Sequence, residues 1–336
     1  MSPPRHVSST HPAAVHYFDE SGHFAFLESR YDVYVQAALI CPDSFVDPVH
    51  PVSKGVVPMK RVVLAILVMI AFVAVPSATA SAATSTTYYL SLGDSLAASF
   101  QPNGDLAHGY AEQLHGALAE DDPKLELKKL GCGGESTVSM RFGSQVPTVV
   151  LSCGAPRDYK ELFPKGTQLA EAVSFLEAHK EKVALVTIDL GANDVYRLDS
   201  DGSVVSCLFE AAGCDAEGAR LARNLAAILA ELRAAAGPEV PIVGMTYYSV
   251  YAPICVSAPW LAFICSRGDA LNALIADTYA AAGVPVADVA GAFENDVLPN
   301  AAVNVCAWTW FCTIGDVHPN TAGYHVIARA FLGALS

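Results

Sequence analysis

Five short apolar, β-rich segments at 87–92, 125–130, 183–190, 240–247 and 284–289 alternate with five alanine-rich amphipathic segments at 108–121, 167–181, 216–236, 268–282 and 320–335. Strands that alternate with helical segments in this way predict an α/β fold, with a central parallel sheet of about five strands and helices on both faces. Gly237-Pro238 and Gly283 punctuate two of the helical segments in the manner of helix stops. Nothing between residues 83 and 336 demands a second domain, so a single domain is expected there.

The stretches left over, 131–166, 195–215, 248–267 and 290–319, are long connections, and each contains cysteines. Long loops in a compact domain usually carry function. All four follow predicted strands, which sends them to one edge of the sheet, where the cysteines are expected to stiffen the rim of a site.

The composition suits this picture. With 52% hydrophobic and 16% charged residues over 336 positions, the chain has ample material for a buried core, and disorder throughout is excluded. The formal net charge of -14 argues against a phosphate-backbone binder, since nucleic-acid affinity is built from clustered Lys and Arg, so no nucleic-acid partner is expected.

Met59-Lys60-Arg61, the apolar run Val62 to Val75, Pro76 and the small-residue run Ser77 to Ala83 read together as a secretory signal peptide over 59–82. Ala-x-Ala options for cleavage end at Ala80 or Ala82. A spanning helix wants about 20 apolar residues, so a retained anchor is the lesser alternative and no stable membrane span is expected after cleavage. Residues 1–58 lack sustained periodicity; they are expected to be a non-native or disordered extension, with translation beginning at Met59. The mature protein is then extracellular.

Cysteine counting agrees with export. Outside the leader, which holds Cys41, eight remain: Cys132, Cys153, Cys207, Cys214, Cys255, Cys265, Cys306 and Cys312. An even number in an exported chain suggests disulfides, and sequential pairing is the expectation, as 132–153, 207–214, 255–265 and 306–312. No Cys-x-x-Cys is present, so a zinc site is not expected.

The first predicted strand runs directly into Gly93-Asp94-Ser95-Leu96. In open α/β sheets reacting groups gather at the carboxyl ends of the strands, so Ser95 is a candidate nucleophile; it needs a base and waiting donors for an oxyanion. As a lone motif it is also an ordinary polar turn. Three further turns bear on it. The third strand is followed by Gly191-Ala192-Asn193-Asp194, whose Asn193 amide is a candidate donor if the two strands are neighbours. The second strand is followed by Gly131-Cys132-Gly133-Gly134-Glu135, whose glycines let backbone N–H groups face a ligand. Gly315-Asp316-Val317-His318-Pro319-Asn320 stands before the last helix, and His318 is suited to move a proton near neutral pH.

These four turns, in this order, resemble the SGNH hydrolase superfamily of GDSL-type esterases and lipases, over the chain from about Tyr88 to its end. The resemblance implies a flavodoxin-like three-layer α/β/α sandwich. It implies Ser95 as nucleophile and His318 as base, with the Ser95 N–H, the Gly134 N–H and the Asn193 side chain as oxyanion hole. It implies an ester substrate and neither metal nor organic cofactor. The eight-cysteine exported form, with Cys306 to Cys312 just before the histidine block, is most similar to secreted actinobacterial members.

One departure from the family pattern stands out. Such enzymes usually place an acid three residues before the histidine, whereas Gly315 occupies that position here and Asp316 is two before. On a helical turn i and i+2 do not share a face. Either Asp316 still fills the acid role, or a backbone carbonyl near Gly315 orients the ring in a Ser-His dyad, and the spacing favours the dyad. Asp94 and Asp194 are expected to brace their own turns. The aromatics Tyr248, Tyr251, Trp260, Phe263, Trp308, Trp310 and Phe311 either line a pocket for an apolar acyl group or pack beneath the loops. The expectation is a monomeric ester hydrolase; an acyltransferase, a carbohydrate-ester deacetylase or a non-catalytic binding module are the alternatives.

Overall fold

The computed structural model describes residues 86–143, 159–198 and 204–336. The extension expected at 1–58, the signal peptide expected at 59–82 and Cys153 lie outside them.

Strands β1 (Thr87–Gly93), β2 (Leu125–Lys129), β3 (Val183–Asp189), β4 (Ile242–Met245) and β5 (Val286–Ala287) form one sheet in the order β2-β1-β3-β4-β5. Every neighbouring pair is parallel. β1 and β3 sit centrally and are buried from Tyr89 to Gly93 and from Leu185 to Asp189, which is why both read as nearly unbroken apolar runs. β2 lies at the edge, and its Leu-Glu-Leu-Lys-Lys sequence alternates in burial and carries the lysines common on exposed edges.

Helices α1 (Tyr110–Leu118), α2 (Gln168–Ala178), α3 (Asp215–Ala236), α4 (Ala262–Ala281), α5 (Leu298–Trp308) and α6 (Thr321–Ala334) supply the outer layers. Because successive strand side chains point to opposite faces, Tyr89 and Leu90 enter different cores. On one side Tyr89, Leu185 and Met245 pack with Leu114 of α1 and Tyr324, Ile327 and Phe331 of α6. On the other, Leu90, Leu92, Val186 and Ile188 pack with α2, α3 and α4 through Leu176, Leu225, Leu229, Ile275 and Tyr279. The result is the three-layer α/β/α sandwich with five parallel strands.

Among the elements that depart from the sequence expectation are two long helices. Helix α4 begins at Ala262 rather than at 268, taking Cys265 into its first turns. Helix α5 occupies part of the stretch expected to be a connection, with its proline in the first turn, where the missing N–H has no helical partner to lose.

Three of the expected cysteine pairs are present: Cys207–Cys214, Cys255–Cys265 and Cys306–Cys312. They lie in the segments that follow β3, β4 and β5. Cys132 is buried beside the end of β1, and its expected partner Cys153 is outside the described residues. Among the described residues no helix is long and apolar enough to cross a membrane.

Candidate active site

The site is built on the carboxyl ends of β1, β2 and β3, and the strand order places the Ser95 turn between the Gly134 loop and the Asn193 turn. β1 ends at Gly93 with φ 130°, a conformation side chains rarely adopt. Asp189 of β3 also packs against it: a Cβ at Gly93 would lie 1.6 Å from Asp189 Oδ1 and 2.0 Å from its carbonyl oxygen. The Asp94 N–H then donates to Asp189 Oδ1 at 2.8 Å. The Asp94 carboxyl accepts from the Leu96 N–H and from the Tyr247 hydroxyl, each at 2.9 Å. These bonds hold Ser95 half-buried at the top of the sheet.

Ser95 Oγ lies 2.9 Å from His318 Nε2, although 223 residues separate them. On the far side of the ring, Nδ1 is 2.7 Å from Asp316 Oδ1, and the same oxygen accepts from the His318 main-chain N–H at 2.9 Å. An ionised carboxylate only accepts. The proton of a neutral imidazole therefore resides on Nδ1, and Nε2 is left to accept from the serine hydroxyl.

The expectation that a two-residue spacing keeps Asp316 from the ring does not hold, and the cause is local backbone. Gly315 adopts the left-handed conformation, φ 74°, and ends the short Phe311–Ile314 helix. Residues 316–318 are therefore not helical, and Asp316 folds back on the N–H two residues later, as aspartates do in turns. The Nδ1 bond goes to its carboxylate rather than to a backbone carbonyl.

The histidine segment is fastened on several sides. The Trp310 N–H donates to the His318 carbonyl at 3.0 Å, and the Asn320 N–H donates to the Trp308 carbonyl at 2.9 Å. The Tyr248 hydroxyl donates to the Val317 carbonyl at 2.6 Å. The Phe100 ring lies 4.5 Å from the imidazole, centre to centre. Cys306–Cys312 joins the end of α5 to the short helix that precedes Gly315.

Opposite, Gly134 has φ 78° and Gly191 has φ 135°, so both loops use conformations suited to glycine. Asn193 donates its Nδ2 hydrogen to the Glu135 carbonyl at 3.0 Å, tying the two loops together. Asp194 does not brace its own turn. Its carboxyl accepts from the Thr137 N–H at 2.9 Å and from the Thr137 hydroxyl, so it too crosses to the loop after β2.

Burial dominates the electrostatics. It pushes Asp94 up to about 6, against the pull of the Leu96 N–H and the Tyr247 hydroxyl. It pushes Asp194 up to about 6 against its bonds to Thr137, and Glu135 up to about 8 against its hydrogen bonds. Asp189, fully buried beside Asp94, is raised well above the usual carboxylate range by burial first and by that neighbour second.

The aromatics divide. Tyr248 stacks on Phe293 at 4.6 Å and Trp308 meets the same ring edge-on at 5.1 Å, while Phe311 is buried near Tyr251, so these four pack beneath the loops. Trp260, 74% exposed, and Phe263, 41% exposed, stand at the surface. Sequence reading missed Asp189, Tyr247, Phe100 and Gln168 as contributors. Asp189 and Tyr247 share a signal that could have found them: each is polar and stands at or just past the carboxyl end of a central strand.

Residues 91–326 match the model of the GDSL-like Lipase/Acylhydrolase family. Among solved structures, the chain is similar to an acetylxylan esterase of Geobacillus stearothermophilus, with 19% identity, a TM-score of 0.44 and coverage of 74% of this chain and 94% of that one. It is similar to phospholipase A1 of Streptomyces albidoflavus, with 18% identity, a TM-score of 0.46 and coverage of 74% and 100%. A lipase from a goat rumen metagenome matches with 15% identity, a TM-score of 0.46 and coverage of 74% and 97%. No curated relative matches the sequence. The family match takes in the serine turn near its start, the histidine segment near its end and most of the chain between, and the protein therefore belongs to the GDSL-like lipase/acylhydrolase family.

Proposed function

We propose that the protein is a secreted serine ester hydrolase that works through an acyl-enzyme on Ser95. As Ser95 Oγ attacks the carbonyl carbon of the ester, His318 Nε2 takes the hydroxyl proton, and the carbonyl π electrons move onto oxygen. The Ser95 and Gly134 N–H groups and the Asn193 amide receive that oxyanion. Its collapse expels the alcohol, which takes the proton from the imidazolium. A water molecule, deprotonated by His318, then attacks the acyl-enzyme and releases the acid with Ser95 restored. Asp316 holds the Nδ1–H tautomer and stabilises the imidazolium.

The observation that carries this proposal is the chain of contacts from Ser95 Oγ through His318 to Asp316, at 2.9 and 2.7 Å. The exposed Trp260 and Phe263, in the segment that follows β4, favour an apolar acyl group. The disulfides and the signal-like 59–82 segment favour secretion.

The test is a fluorophosphonate probe on folded, oxidised protein. Labelling is expected at Ser95, and neither Ser95→Ala nor His318→Ala should label at the wild-type rate. A wild-type protein whose Ser95 stays unmodified would refute the proposal. Hydrolysis of p-nitrophenyl esters from acetate to palmitate then reads out the acyl preference, and product analysis with an added alcohol separates hydrolysis from transfer.

A further inference from the structure

The donors of the oxyanion hole come from separate loops, and one buried side chain bridges two of those loops. Gln168, the first residue of α2, is fully buried. Its Oε1 accepts from the Gly93 N–H at 2.7 Å, and its Nε2 donates to the Gly93 carbonyl at 3.0 Å and to Glu135 Oε2 at 2.9 Å. The Gly93 carbonyl also accepts from the Cys132 N–H at 3.0 Å, so this peptide is held from both the second strand's loop and α2. The Gln168 N–H donates to the Tyr159 hydroxyl at 3.3 Å, and that hydroxyl in turn donates to the Glu135 carboxyl at 3.3 Å.

The placement of the two anchored residues matters. Gly93 stands two residues before Ser95. Glu135 directly follows Gly134, and its carbonyl is the acceptor that holds the Asn193 amide. A primary amide presents an acceptor and two donors at one end. It can therefore pair with both polar groups of the Gly93 backbone and keep a second N–H for Glu135, which neither a carboxylate nor a hydroxyl can do.

Resting on the ester-hydrolase proposal above, we propose that Gln168 is a positioning residue of the oxyanion hole. It locks the Ser95 turn to the Gly134 loop, and through the Glu135 carbonyl it fixes Asn193, so that all three donors face one point. Donors of this kind act only if they sit at hydrogen-bond distance from the developing oxyanion, and displacements of about 1 Å are enough to lose about 100-fold in rate.

The experiment is steady-state hydrolysis of p-nitrophenyl butyrate by the full, oxidised chain. Gln168→Leu and Gln168→Glu are expected to lower kcat by about 10- to 100-fold while KM stays within about threefold. Gln168→Glu preserves volume and the bond to the Gly93 N–H, so it remains informative if the leucine variant does not fold. Thr167→Ala is the control: it removes the hydrogen bond from the Ala170 N–H to the Thr167 hydroxyl, at 3.0 Å, and loosens the same helix start without touching Gly93 or Glu135. Its kcat should stay within about twofold of wild type, because an N-cap contributes to stability rather than to the chemistry. Wild-type kcat in a folded Gln168 variant overturns the proposal, and so does an equal loss in Thr167→Ala. Fluorophosphonate labelling separates this failure from that of the parent reading. An unlabelled wild type overturns both, whereas a labelled wild type with equally fast Gln168 variants overturns the positioning role alone.

Discussion

One oxygen of Asp316 accepts twice from His318, from the main-chain N–H at 2.9 Å and from ring Nδ1 at 2.7 Å. The main-chain bond sets the backbone and the side-chain bond sets the ring, so the tautomer and the aim toward Ser95 are fixed together. Asp316→Ala is expected to lower kcat by about 10³- to 10⁴-fold, approaching the loss in His318→Ala. Kinetics of the two variants on one ester check this; a loss below about tenfold would return the site to a Ser-His dyad.

Asn193 is held by the Glu135 carbonyl at 3.0 Å before any ligand arrives, so its amide costs little to organise. Asn193→Ala should lower kcat by about 10²- to 10³-fold with little change in KM, because an oxyanion donor acts mainly in the transition state. Unchanged kcat would remove Asn193 from the site.

Gly93 has no room for a methyl group, since Asp189 Oδ1 would lie 1.6 Å from it, and its φ of 130° is unfavourable to side chains. Gly93→Ala is expected to destabilise the fold by more than about 3 kcal/mol, from overpacking and backbone strain together. Urea unfolding measures this where the variant is soluble, and the yield of soluble protein reports it otherwise.

Glu135 gives a stability effect with a defined sign. Burial raises its pKa from 4.5 to about 8, so the fold favours the neutral acid. That contribution is complete below the unfolded value of 4.5 and is lost as pH rises through about 8. Between about pH 5 and about pH 9 the wild type should lose about 4 kcal/mol more unfolding free energy than Glu135→Gln, which has no proton to release. The difference isolates Glu135 from Asp94, Asp189 and Asp194, which are raised in the same direction. Equal slopes for the two proteins would contradict it.

The turns that carry Ser95, Gly134, Asn193 and His318 were legible because each is a short run of glycine and polar residues at a predicted strand or helix boundary, and the parallel topology gathers such boundaries at one edge. The three observed disulfides were legible because their partners are near neighbours in sequence. Asp316 was misjudged because residue spacing implies a face only within regular structure, and one left-handed glycine removed the helix on which the argument depended. Gln168 was invisible for another reason. It lies 75 residues from Gly93 and 33 from Glu135, and at the head of an amphipathic helix it is an unremarkable helix former. Contacts of that range are settled by packing, and no local pattern announces them.

The three described disulfides span sequence separations of 7, 10 and 6 residues, and none joins two strands of the sheet. A cross-link over so short a loop removes only about 2 kcal/mol of unfolded-chain freedom, and of the described residues buried in the two cores only Phe311 lies within one of these loops. The described cross-links thus bear on the rim more directly than on the sheet beneath it. With reductant, far-ultraviolet circular dichroism should persist as turnover declines, the Cys306–Cys312 clasp before His318 being the sensitive one. In the secreted enzyme proposed above, the sheet is then expected to form while the cysteines are still thiols, and full turnover to arrive only on oxidation.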